Sequence, residues 1–135
     1  MGGLAVMMAA RETQPDRLVL LEPSPPAEIQ GRDETVGLAR GTFDPEEAYG
    51  AFPPGIRARP ESALARAERK RGIAVPSLAG RTLVVYGSSF PDDRGRRLAE
   101  HYGTERLEFP DLDHWGLILD RRVPAAIAAW LRASP

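Results

Sequence analysis

The chain contains no cysteine among its 135 residues, which excludes disulfide bonds, thiolate metal sites and a cysteine nucleophile. No apolar run approaches the ~20 residues of a membrane span, so no membrane partner is expected. The formal net charge is −1, which predicts no nucleic-acid partner because the chain has no strong positive field. No phosphate-binding glycine motif follows a strand, so no cofactor is expected.

The first residues of the chain are apolar without a polar lead-in. Residues 4–10 have the length of a signal-peptide core, but no lysine or arginine precedes them, and a cytoplasmic location is therefore predicted. The pattern predicts a helix over residues 2–11 that is apolar nearly all round and hence buried on most faces. Pro15 cannot continue this helix.

Two continuous apolar runs, RLVLL (17–21) and RTLVVYG (81–87), are typical of parallel strands covered on both faces. A third strand is predicted at 106–110, and helices at 94–102, closed by Gly103, and at 122–133. Strands that alternate with helices predict an α/β fold in three layers, with a short parallel sheet of about three strands.

Residues 27–79 differ from the rest of the chain in their pattern, because glycines and prolines interrupt short segments. They predict two helices, one over 44–52 that starts at Asp44 and Pro45, and one over 60–71 that is closed by Gly72. We interpret 27–79 as a small helical insertion of the cap type, and residues 1–26 and 80–135 as the core of a single domain.

His114 is the most informative residue of the chain. It follows the third predicted strand by four residues, in a loop that opens onto the carboxyl edge of the sheet, where open α/β sheets bind ligands. Gly116 would allow a tight turn close to whatever His114 faces. An imidazole at this position could act as a general base if a carboxylate orients its second nitrogen.

Two carboxylates follow the neighbouring strand, in YGSSFPDD, at the same edge of the sheet. Asp92 and Asp93 come five and six residues after it. An aspartate after one strand and a histidine after the next are two members of a triad in the order nucleophile, acid, base. Asp92 is slightly favoured as the acid, because Asp93 is better placed to cap the following helix.

These segments together resemble the C-terminal half of the α/β-hydrolase family. MGGLAVMMAARETQPDRLVLLEPSPP is similar to the family's segment that begins within the G-x-S-x-G turn, while TLVVYGSSFPDD and LEFPDLDHWGLIL are similar to its acid and histidine segments. The resemblance covers nearly the whole chain, and its specificity lies in the order and spacing of the motifs.

The resemblance implies roles for individual positions. Met1 and Gly2 match the last two residues of G-x-S-x-G, so the nucleophilic serine would come just before Met1, and the amide of Met1 would contribute to the oxyanion hole. The family usually has its acid about three residues beyond the strand-end glycine, where this chain has Phe90. Some members carry the acid after the preceding strand, which makes Glu22 the alternative acid.

Other polar and aromatic residues have simpler interpretations. Ser88 and Ser89 are expected to be turn residues rather than substitute nucleophiles. His101 does not combine with the histidine loop into a metal-ligand spacing, and no metal site is predicted. The arginines at 57, 59 and 94–97 are expected at the surface. The aromatic residues Tyr49, Phe52 and Trp115 could line an acyl pocket or pack against the core.

The resemblance implies a serine-type, esterase-like hydrolase of a small acyl substrate, with His114 as base and the nucleophile outside the 135 residues. The alternative is a non-catalytic half-domain that binds a small molecule or a partner. The predicted strand 17–21 would then expose an unpaired edge that could bind a second copy or a complementary half. A third possibility is a gene start placed at an internal methionine.

Overall fold

A computed structural model of the protein describes residues 2–29, 51–57, 62–64, 67, 71–87 and 94–133. The helices are α1 (Gly2–Thr13), α2 (Arg94–Tyr102), α3 (His114–Leu119) and α4 (Arg122–Arg132). The strands are β1 (Arg17–Leu21), β2 (Arg81–Gly87) and β3 (Glu105–Phe109), and they form a sheet in the order β1-β2-β3. Both strand pairs are parallel. The predicted α/β class, with about three parallel strands and flanking helices, is confirmed.

The side chains of β2 alternate between two apolar layers. Val84 and Tyr86 belong to a cluster that includes residues of α1 and α2, while Leu83 and Val85 belong to a second cluster that includes residues of α3 and α4. Because both faces of the strand are covered, its sequence is a continuous apolar run rather than an alternating one. The sheet is therefore the middle layer of three.

Helix α1 is less buried than predicted. Leu4, Met7 and Ala10 pack into the core at the helical spacing i, i+3, i+6, but Val6 is 47% exposed and Met8 is 45% exposed. The expectation of a helix buried on most faces was wrong, because among the described residues α1 has the sheet on one side and no cover on the other. An apolar surface is thus left beside β1.

Arginines at the starts of β1 and β2 hold the end of α4. Arg17 donates to the carbonyl oxygens of Trp130, at 3.2 Å, and of Leu131, and Arg81 donates to that of Ala133 at 3.1 Å. The two cations thus bind carbonyl oxygens at the C-terminal end of α4, where the helix dipole favours positive charge. The Arg81 guanidinium also lies 4.7 Å from the centre of the Trp130 ring.

Arg81 is paired with the first residue of β3 as well. Its Nε and Nη2 atoms donate to the two carboxylate oxygens of Glu105, at 2.5 and 2.9 Å. This hydrogen bonding lowers the pKa of Glu105 below its usual value. The amino ends of the three strands and the C-terminus of α4 are therefore joined by one network of charge-assisted hydrogen bonds.

Gly80 permits a tight approach just before β2. It has φ +65°, and a Cβ atom at this position would lie 2.1 Å from the carbonyl oxygen of Pro15. The backbone contact is reinforced by the Arg81 amide, which donates to the Asp16 carbonyl at 2.9 Å. Only glycine combines this backbone conformation with this contact.

Three further sequence predictions have mixed outcomes. Arg94 is buried, with 9% of its surface exposed, so the expectation that the cluster 94–97 lies at the surface was wrong for its first member. The predicted helix 44–52 lies outside the described residues except for Ala51 and Phe52, which are not helical. In the predicted helix 60–71, the described residues 63, 64, 67 and 71 are helical but Ser62 is not, and Gly72 has φ 74°, as a C′ glycine requires.

None of the helices in the described part of the chain combines the length and the apolar character needed to cross a bilayer.

Candidate functional site

The carboxyl ends of the three parallel strands meet at one edge of the sheet. Glu22 directly follows β1, Gly87 is the last residue of β2, and His114 comes five residues after the end of β3. The parallel register aligns Leu21 with Val85, and Gly87 with Phe109. Residues that are up to 92 positions apart in sequence are thereby brought to a common edge.

Glu22 and His114 form a hydrogen-bonded dyad at this edge. The Nδ1 atom of His114 lies 2.5 Å from Oε2 of Glu22, and the Glu22 side chain is only 1% exposed. An ionised carboxylate can only accept hydrogen bonds, so with Glu22 ionised the proton of this bond is on Nδ1. In a neutral imidazole the other nitrogen, Nε2, is then the acceptor, which is the tautomer that a general base needs.

The second oxygen of Glu22 is also bonded. Oε1 accepts a hydrogen bond from the backbone N–H of Gly87 at 2.9 Å. A buried carboxylate is costly unless its oxygens are paired, and here each oxygen has a donor. Glu22 has φ +36°, a conformation that non-glycine residues rarely adopt. Such backbone strain concentrates at functional sites, where the surroundings hold the residue in place.

His114 is the first residue of the short helix α3, whereas the sequence analysis predicted a loop at this position. The helix starts here because Asp113 is its N-cap, and the Asp113 carboxylate accepts the N–H of Gly116 at 2.6 Å. Gly116 therefore lies within a helix rather than in the predicted tight turn. The cap fixes the backbone of the histidine, and the Glu22 contact fixes its ring.

An ion-pair cluster ties the segment before His114 to α4. Arg122 donates to Asp111 at 2.6 Å and to Asp120 at 2.8 Å. These hydrogen bonds lower the pKa of both aspartates and raise the pKa of Arg122. The cluster is exposed, so its contribution to stability is small, but it restrains the loop that carries the histidine.

Two aromatic rings lie next to the dyad. The Trp115 ring is edge-on to the His114 ring, with 5.4 Å between centroids, and Phe52 lies 4.8 Å from Trp115 in a tilted arrangement. Such tilted and edge-on pairs are favourable geometries for aromatic rings. Phe52 belongs to the predicted insertion, so the insertion contributes an apolar side chain that packs on Trp115, the neighbour of His114. This contact is compatible with both roles predicted for these aromatic residues.

The start of α1 lies at the same edge as the dyad. A Cβ atom on Gly3 would lie 2.6 Å from Cβ of Pro23, the residue directly after Glu22. Only a residue without a side chain lets the helix approach so closely. The Gly3 end of α1 is therefore packed against the residue that follows Glu22.

Several predicted site residues lie outside the described part of the chain. These are the two favoured acids, Asp92 and Asp93, the predicted oxyanion donor, Met1, and the two turn serines, Ser88 and Ser89. Of the three candidate acids, the described structure therefore covers Glu22 alone, the alternative one, and brings it to His114.

His101, Asp111 and Asp113 are exposed. Within the described ranges, no group of three or more His, Cys, Asp or Glu side chains is arranged to hold a metal ion.

Gly87 was predicted only as the end of a strand, with no part in the site. A Cβ atom on Gly87 would lie 2.2 Å from the carbonyl oxygen of Leu112 and 3.4 Å from Oε1 of Glu22. A glycine at the end of a buried strand indicates a close backbone approach, and this signal was present in the sequence.

The arrangement can move a proton at an edge that is partly open to solvent, since the His114 side chain is 23% exposed. No family model, no curated protein and no solved structure matches the chain.

Proposed function

We propose that the chain is part of a serine-type hydrolase of the α/β-hydrolase class that acts on a small ester or related acyl substrate. His114 is the general base, and Glu22 is the acid that orients it. The nucleophile is a serine at the position just before Met1, and the Met1 amide contributes to the oxyanion hole.

The observation that carries this proposal is the hydrogen bond between Nδ1 of His114 and the buried carboxylate of Glu22. A buried acid that bonds one imidazole nitrogen leaves the second nitrogen as the basic one, which is the acid–base half of a triad. The contact of Gly3 with Pro23 adds support, because it brings the start of α1 towards the same edge. The parallel order β1-β2-β3 also agrees with a C-terminal half of this fold class.

A small apolar acyl group is the substrate that the surroundings of the dyad favour. Trp115 provides an aromatic ring next to His114, and Phe52 packs on Trp115, which suits the acyl chain of an ester rather than a charged group. An ester also requires no cofactor or metal for hydrolysis, since the serine, the base and the oxyanion donors supply the chemistry.

The test compares two forms of the protein with a p-nitrophenyl acyl ester. The 135-residue chain should show no turnover, because it lacks the nucleophile. A chain extended upstream of Met1 along its own reading frame, here called the extended chain, should carry Gly-x-Ser directly before Met1 and hydrolyse the ester. In the extended chain, His114→Ala should lower kcat/KM by about 10⁴-fold or more.

His101→Ala is the matched control, since His101 is exposed and packs on Tyr102 rather than on Glu22. Its kcat/KM should stay close to that of the unsubstituted extended chain. Two results would contradict the proposal. One is a stop codon or a different residue in place of the serine, and the other is turnover by the 135-residue chain that His114→Ala abolishes.

A second candidate function, binding of a partner chain, has its own supporting observation. Within the described part of the chain, β1 is an edge strand, and the Glu22 amide and the Asp16 carbonyl bond towards β2. Backbone groups alternate in direction along a strand, so those of the odd-numbered residues Arg17, Val19 and Leu21 point towards the open edge. Leu21 is also 40% exposed.

An open edge next to the exposed apolar residues of α1 favours strand addition by a second copy or by a complementary half. We therefore expect the 135-residue chain to sediment as a dimer or larger species at micromolar concentration. Val19→Pro should shift the chain towards the monomer, because proline removes the outward-pointing N–H. Ala125→Pro in α4, away from β1, is the control. It tests whether general destabilisation of the fold also shifts the chain towards the monomer. A stable monomer of the unsubstituted chain would rule out the second-copy form of this candidate.

A further inference from the structure

The backbone of Gly87 contacts Glu22 directly, and it also contacts the segment that carries His114. Its N–H donates to Oε1 of Glu22 at 2.9 Å. The space that a side chain would occupy is filled by the carbonyl oxygen of Leu112, two residues before His114. The last residue of β2 thus lies between the acid on one side and the histidine-bearing segment on the other.

We propose that Gly87 is a positioning residue for the dyad, whose N–H orients the Glu22 carboxylate and whose missing side chain lets the Leu112–His114 segment approach. This inference extends the proposed hydrolase function. Only the effect of Gly87 on catalysis rests on that function. The positioning itself is a property of the 135-residue chain and can be measured without turnover.

The geometry explains why the N–H and the missing Cβ act together. Glu22 has φ +36°, and its carboxylate has two partners, the Gly87 N–H through Oε1 and His114 Nδ1 through Oε2. If one partner moves, the carboxylate rotates and its bond to the other partner lengthens. A methyl group at position 87 would meet the Leu112 oxygen at 2.2 Å, so the backbone of one or both segments must shift. A displacement of about 1 Å is enough to lower a catalytic rate on the order of 10²-fold.

The first measurement uses the unsubstituted chain and Glu22→Gln. In the unsubstituted chain, NMR should show that neutral His114 carries its proton on Nδ1, and that the Gly87 amide proton lies at low field, as a donor to a carboxylate does. Glu22→Gln should move the Gly87 amide proton upfield. A Gly87 amide that does not respond to Glu22→Gln would overturn the inference, and this measurement does not depend on whether any glycine variant folds.

The second measurement uses Gly87→Ala with Gly80→Ala as the matched control. Gly80 directly precedes β2 and Gly87 is its last residue, and a Cβ atom at either position would meet a backbone carbonyl oxygen, at 2.2 Å for Gly87 and at 2.1 Å for Gly80. Gly87→Ala should abolish the preference for the Nδ1 proton on His114, whereas Gly80→Ala, at the opposite edge of the sheet, should keep it in the folded fraction. If both variants lose the preference for the Nδ1 proton on His114 to the same extent, Gly87 has only a structural role and the inference is contradicted.

The outcomes separate this inference from the proposed function. If the Gly87 amide reports the Glu22 contact but the extended chain hydrolyses no ester, the positioning stands and the hydrolase proposal fails. If the extended chain loses activity on His114→Ala while the Gly87 amide ignores Glu22→Gln, the hydrolase proposal stands and the positioning fails. In the extended chain, Gly87→Ala should lower kcat on the order of 10²-fold with a smaller change in KM.

Discussion

Replacing Glu22 by glutamine should lower kcat/KM of the extended chain by about 10³- to 10⁴-fold, because the acid would no longer hold the tautomer that a base requires. The glutamine amide can donate to Nδ1 of His114, which would move the ring proton to Nε2. The base would then carry a proton on the nitrogen that should accept one. The measurement is the steady-state hydrolysis of a p-nitrophenyl acyl ester, together with the ¹⁵N chemical shifts of His114.

Asp92→Asn and Asp93→Asn are the matched controls, because the sequence favoured these residues as the acid. If Glu22 orients His114, each of these variants should keep kcat/KM within about tenfold, the effect of a nearby charge rather than of a triad member. A loss of about 10³-fold or more in either variant, with Glu22→Gln nearly unaffected, would assign the acid to the segment after β2 instead. The three substitutions therefore decide whether the acid follows β1, as Glu22 does, or follows β2, as Asp92 and Asp93 do. The sequence left both alternatives open.

Gly80→Ala should destabilise the fold by about 2 to 5 kcal/mol, a large part of the ~5–15 kcal/mol that stabilises a typical domain. Two costs add at this position. An L-residue with φ near +65° is strained by about 1–2 kcal/mol. The methyl group would also meet the carbonyl oxygen of Pro15 at 2.1 Å, and overpacking of this kind typically costs about 1–3 kcal/mol more.

Gly103→Ala isolates the first of these costs. Gly103 has φ +63° and nothing within 4 Å of its Cβ position, so only the backbone strain of about 1–2 kcal/mol should remain. The measurement is the free energy of unfolding from urea denaturation of both variants and the unsubstituted chain. Equal destabilisation by the two substitutions would mean that the backbone near Pro15 moves away freely, which contradicts a rigid contact at Gly80.

The strands were the most predictable part of the fold. β1 and β2 have the bounds that their apolar runs predict, and β3 differs by one residue. A strand covered on both faces must be apolar throughout, so burial appears directly in its sequence. Helix α3 was missed because it has only six residues, fewer than a periodic pattern needs, and its one local signal is the N-cap Asp113.

The site was predictable to a smaller extent. His114 was identified from its position after a strand, and the carboxyl edge of the sheet was the expected location. The identity of the acid depends on which carboxylate reaches His114 at the carboxyl edge of the sheet. For Glu22 this requires φ +36° and a donor from Gly87, neither of which a sequence pattern shows. The exposure of α1 was missed because an apolar helix indicates burial without indicating by what.

The long separation between contacting segments has a consequence for how the chain acquires its structure during synthesis. Arg17 bonds a carbonyl 113 positions later, and Glu22 bonds a side chain 92 positions later. A ribosome releases the N-terminal segments first, so β1 must wait for β2 across nearly 60 residues, and the dyad cannot form until His114 has emerged. A chain arrested after Glu22 but before His114 would therefore carry the buried-type carboxylate without the histidine that it bonds.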